Sequence, residues 1–149
     1  MKKIISTLTM ASILLTISTA AYAAETRAEA KFDARAHSLN MSVEKNGTVA
    51  DAYHAVSVET GVPQEKIDAM HKNHPKAGPA GILAACVLAA ETKKDPDRFL
   101  TRFSNGRDWT SIAADNNVPI ERLNARLERV ETYVNSAPEK RKQQKHHKD

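Results

Sequence analysis

Cysteine is almost missing from this 149-residue chain, and Cys86 is the single one. One cysteine excludes an internal disulfide framework and any Cys-x-x-Cys oxidoreductase pair. Glycine and proline are also sparse, at five and six residues, and runs of β-branched residues are few. With alanine abundant, that balance favours helices over a sheet. Several catalytic signatures are missing too. The chain has no Gly-x-Ser-x-Gly, no His-Glu-x-x-His and no glycine-rich phosphate loop, which removes the common hydrolase, zincin and nucleotide-binding readings. No apolar run after residue 23 is long enough to cross a bilayer, since a span needs about 20 apolar residues.

What is present at the start is a leader. Lys2 and Lys3 precede a short apolar run over residues 4–17, and Ala21-Tyr22-Ala23 forms a small-x-small cleavage site. This is the pattern of a secretory signal, residues 1–23. The mature chain is expected to begin near Ala24, periplasmic or secreted, with no membrane span. No cysteine follows the cleavage point to carry a lipid.

The formal charge of +4 changes meaning once the leader is removed. Lys2 and Lys3 leave with it, and residues 138–149 carry Lys140, Arg141, Lys142, Lys145 and Lys148 against Glu139 and Asp149. The basic charge therefore belongs to the tail, and the body is close to neutral. Such a tail reads as disordered and solubilising, with anionic surfaces as its natural contacts.

Four regions follow: the leader at 1–23, a flexible polar lead-in at 24–46, a helical domain at 47–137 and the basic tail at 138–149. Within the domain, residues 53–69 and 109–125 repeat each other at an offset of 56. Tyr53 matches Trp109, Val56 matches Ile112, and Val62-Pro63 matches Val118-Pro119. Glu65, Lys66 and Ile67 match Glu121, Arg122 and Leu123. Each copy predicts a short helix that stops at Gly61 or Asn117, the residue types that best tolerate a left-handed position. Proline then opens the next helix.

Between the copies, residues 82–92 are apolar on nearly every side, which predicts a central buried helix. Asp95-Pro96 is a strong helix start, and Phe99, Leu100 and Phe103 make the stripe of the helix it opens. Leu123, Leu127, Val130 and Val134 predict a last helix ending near Asn135. The expected fold is all-α, a bundle of about six short helices containing two helix-turn-helix units. Its expected core is Val56, Val62, Ile67, Leu83, Val87, Phe99, Phe103, Trp109, Ile112, Val118, Leu123 and Leu127.

Two resemblances bear on function. Trp109, Ile112-Ala113, Val118 and Leu123 are spaced like the helical half of a LysM module. That similarity covers about 17 residues and implies binding of cell-wall glycan through the Trp109 region, with Asn116 and Asn117 beside it. LysM modules flank this motif with strands, whereas both flanks here read as helix. A broader stretch resembles a group of small, exported, uncharacterised bacterial helical proteins. The matching residues are Gly61-Val62, His74, Gly78, Gly81, Leu83, Ala89-Ala90, Gly106, Trp109 and Ile112-Ala113. This resemblance implies an exported helical domain and supplies no activity.

Other candidates have simpler readings. A helix-turn-helix raises DNA, but the second helices mix Glu65, Lys66 and Asp68, or Glu121, Arg122 and Arg126, and export argues against nucleic acid. His71 and His74 sit at a helix end that the helix dipole favours for histidine, and His146-His147 lie in the tail. Structural zinc asks for about four ligands. Cys86 lies in an apolar segment and reads as a buried hydrophobe. Glu91, Asp95 and Asp97 gather at a helix start.

The expectation is therefore a non-catalytic binding or structural module of the cell envelope. It has no catalytic residue, cofactor or metal, and its partner is an envelope protein or cell-wall glycan. The alternatives are LysM-like glycan binding at Trp109, Asn116 and Asn117, and a small envelope enzyme or metal-binding protein.

Overall fold

The computed structural model describes the backbone of residues 10–46 and 48–146, with side chains for 26–46 and 48–136. Residues 1–9, where the expected leader has its positive start at Lys2 and Lys3, and residues 147–149 lie outside the described residues. The fold is an all-α bundle, and no strand occurs among the described residues. The helices are α1 Met10–Asn46, α2 Val49–Thr60, α3 Gln64–Asn73, α4 Gly78–Thr92, α5 Pro96–Ser104, α6 Trp109–Ala114 and α7 Ile120–His146, with a 3-10 turn at Pro75–Ala77 before α4.

Helix α4 is the axis. Every residue from Pro79 to Leu88 is buried, and α4 touches each of the other six helices. Its small side chains let neighbours approach. A Cβ on Gly81 would lie 3.3 Å from the Trp109 ring. At its start, Gly78 has φ +63, and a Cβ there would meet the Asn40 amide at 2.7 Å. The Asn40 carbonyl oxygen accepts from the Ala80 N–H at 3.3 Å. A side chain of α1 thus satisfies a donor that the start of α4 leaves unpaired.

The two predicted corners form as expected. Gly61 (φ 69) and Asn117 (φ 55) both take the left-handed conformation, and helix resumes after Pro63 and Pro119. Asp95 caps α5 by accepting from the Asp97 N–H at 2.9 Å. Asp108 caps α6 by accepting from the Ser111 N–H at 2.7 Å. Of the predicted core, Val62 and Phe103 are only partly buried and the other ten are buried.

Two boundaries differ from expectation. Residues 24–46 are not a flexible lead-in: they belong to α1, which buries Phe32, Leu39 and Val43. Three polar ties reinforce that docking. Asn124 Nδ2 donates to the Ala28 carbonyl at 2.9 Å, Arg35 pairs with Glu128 and Glu131, and Asn40 caps α4. The helical domain also does not end at Ala137, because the backbone of α7 stays helical across Pro138 to His146. Residues 139–145 are all strong helix formers, so the helix continues through the proline.

Candidate functional site

A groove of about 390 Å³ opens where the α2–α3 corner faces the start of α5. Three local decisions of the chain place it. The left-handed Gly61 turns the backbone so that Val62 and Pro63 form one end. Helix α3 then contributes Lys66, Ala69, Met70 and Asn73 along one wall. Asp95, Pro96 and Asp97 form the other wall, because the Asp-Pro start of α5 holds them at the turn after α4. Met70 is buried and Val62 partly buried, giving an apolar floor between charged walls.

The charges on the two walls are held differently. One oxygen of Asp95 is committed to the helix cap. Asp97 lies 3.7 Å from His74 Nε2, and His74 Nδ1 contacts the Ser104 hydroxyl at 3.3 Å, so His74 braces the end of α3 against α5. Among the described residues, the Lys66 ammonium has no acid within ion-pair distance.

The second corner is built from the same pattern and is closed by the chain itself. Arg122, the counterpart of Lys66, pairs with Glu91 at 2.5 Å. Arg126, the counterpart of Met70, donates to the Glu59 carboxylate at 2.7 Å and to the Glu59 main-chain carbonyl at 3.2 Å. Arg129, the counterpart of Asn73, reaches the same carboxylate at 3.2 Å. On α7, then, Glu59 at the end of α2 takes up Arg126 and Arg129, while Arg122 turns to Glu91 of α4.

The residues singled out for glycan binding do not form a presented platform. Trp109 is only 5% exposed, stacked on Phe103 with ring centroids 4.9 Å apart. Asn116 is spent locally: its Nδ2 donates to the Ile112 carbonyl at 2.7 Å, and its Oδ1 accepts from Lys94 at 2.8 Å. Asn117 is exposed, and its left-handed backbone makes the turn. The structure brings Asn116 and Asn117 to the surface of the second corner and turns Trp109 away into the core. The strands that a LysM module places on either side are absent from the described residues.

Cys86 is buried, and that burial pushes its thiol up to about 12, with Asp97 adding to the shift. A thiol held protonated is a poor nucleophile. His71 shares a 2.7 Å hydrogen bond with the Tyr53 hydroxyl, and burial pushes that phenol up to about 12. His71 and His74 therefore serve different neighbours. No group of three or more His, Cys, Asp or Glu side chains that could hold a metal occurs among the described residues. A second crevice lies between α1 and α7, where Arg27 and Lys31 face Glu121 and Glu128. Its charges are complementary across the helix seam, and Asn124 is already tied there to Ala28.

Sequence reading missed the groove. Pro63 and Pro96 were each legible as helix starts, but nothing in the spacing says that the two starts face each other. The readable signal was the unequal second helices: Met70 and Asn73 stand where the other copy has Arg126 and Arg129.

No family model, curated protein or solved structure matches this chain.

Proposed function

We propose that the protein is an exported, non-catalytic helical binding module of the cell envelope, recognising a protein partner through the groove at its first corner. The observation that carries this reading is the inequality of the two corners. On α7, Arg126 and Arg129 are taken up by Glu59 of α2, while on α3 their counterparts Met70 and Asn73 line a groove with charged walls and an apolar floor. Peptide segments are commonly recognised in grooves where apolar seats give affinity and placed polar groups give specificity. The leader at residues 1–23 supports export, and among the described residues no helix is long and apolar enough to cross a membrane.

The polar groups near the groove support binding over chemistry. Asp95 caps a helix and Asp97 faces His74, which leaves no nucleophile beside a free base. A buried Trp109 weighs against the glycan alternative, which asks that ring to meet a sugar.

Co-sedimentation with insoluble purified peptidoglycan at low and moderate salt separates the two readings. Protein recognition predicts no pelleting, or weak pelleting that salt abolishes because only charge attraction to the basic tail is involved. Salt-resistant pelleting would contradict it and return glycan binding to first place.

A further inference from the structure

We infer that the groove takes a peptide segment carrying a basic side chain next to an apolar one, the basic group lying on the Asp95–Asp97 wall. This inference rests on the groove being the recognition site and adds the chemistry of what it holds.

In the second copy, whose cations are Arg122, Arg126 and Arg129, the last two already hold Glu59, and Arg122 turns to Glu91 of α4. The end of α2 is read there through both a side-chain carboxylate and a main-chain carbonyl of Glu59. The cationic face there meets an acidic segment. The equivalent face on α3 keeps one of those three cations, Lys66, and replaces the others with Met70 and Asn73. It has lost the charge that selects an acidic segment and gained an apolar seat.

Charge complementarity points the same way. The facing wall supplies two carboxylates, with His74 beside Asp97, against the one ammonium of Lys66, so the groove's own lining carries more negative than positive charge. The Asp97 side chain is 56% exposed, and the second oxygen of Asp95 is not used by the cap. Between these walls, Val62 and Met70 offer a seat for one aliphatic side chain. Lys66 and Asn73 on the α3 side can donate to a main-chain carbonyl, as Arg126 does to Glu59. A basic-apolar segment satisfies all of these groups together.

The test uses protein made from the full-length reading frame, with the Val62 and Met70 methyl signals followed by NMR. The probes are two peptides, acetyl-Lys-Leu-Leu-Lys-amide and acetyl-Glu-Leu-Leu-Glu-amide. The cationic peptide is expected to shift both methyl signals and to bind several-fold more tightly than the anionic one. Exposed ion pairs contribute at most about fivefold each, so the double variant Asp95→Asn, Asp97→Asn should weaken the cationic peptide by roughly 3- to 20-fold. Asparagine still caps a helix, so α5 is retained in that variant. Preference for the anionic peptide, or equal binding of both, would overturn the charge assignment and leave the groove as a site. No shift at either methyl with either peptide would overturn the groove reading along with it.

Discussion

Replacing Trp109 by alanine separates a core role from a surface role. The indole is 5% exposed, stacks on Phe103 at 4.9 Å, and leaves no room for a Cβ at Gly81 without crowding. Truncating a buried tryptophan removes its transfer energy and leaves a cavity, which together cost about 3–5 kcal/mol. For a domain of this size each kcal/mol moves the melting temperature by a few degrees, so the midpoint should fall by roughly 10–20 °C. Circular dichroism with heat and urea reads this directly. Trp109 is the single tryptophan, so native fluorescence of the unmodified protein should also be blue-shifted and poorly quenched by acrylamide. Gly81→Ala pushes on the same ring from behind, with 3.0 Å to the Ala77 Cβ and 3.3 Å to the indole. It should cost about 1–3 kcal/mol by overpacking. A loss below 1 kcal/mol for Trp109→Ala, with unchanged melting, would refute the core assignment.

Other perturbations test the joints. Gly78→Ala combines a positive φ with a Cβ 2.7 Å from the Asn40 amide, and should destabilise by about 2 kcal/mol or more in urea titrations. At the corners, Gly61→Ala should cost about 1–2 kcal/mol, while Asn117→Gly should be near neutral, because both positions are left-handed and asparagine tolerates that conformation. Asp108 is held down to about 2 by hydrogen bonds from Thr110 and Ser111. Its folded value lies below the ordinary 3.8, so its stabilising contribution is present above pH 3.8 and lost as pH falls toward 2; Asp108→Asn should flatten that part of the stability profile. Cys86, with its thiol raised to about 12 by burial, should react with iodoacetamide at pH 8 only at the rate of unfolding. Fast labelling of the native protein would contradict its burial.

Local chemistry made much of the fold readable. The Gly61 and Asn117 corners, the apolar α4 and the caps at Asp95 and Asp108 are each decided by a few adjacent residues. The stripe of α7 is plain because Leu123, Leu127, Val130 and Val134 are all large. Helix α1 carries the same spacing at Phe32, Ala36, Leu39 and Val43, but alanine at one position and charges between the others weaken the pattern. Its remaining hold comes from partners distant in sequence: Asn124 on Ala28, Glu128 and Glu131 on Arg35, and Asn40 on Ala80. Pro138 reads as a stop, yet strong helix formers beyond it carry the backbone on to His146. The candidate site was the least legible part. Lys66, Met70 and Asp97 come from two helices that no periodicity relates, and the aromatic residue that drew attention, Trp109, was conspicuous because the core needs it.

Recognition through the open first corner is the central claim, and site-specific photo-crosslinking in living cells tests it most directly. Ala69 lines the groove and is exposed, and Ala125 is its exposed counterpart in the second copy, lining the crevice between α1 and α7 instead. A benzoylphenylalanine placed at each in turn gives matched probes. Recognition through the groove predicts a discrete protein adduct from Ala69, absent from Ala125 and lost when Asp95→Asn and Asp97→Asn are introduced. Equal adducts from both positions, or none from Ala69, would contradict the claim.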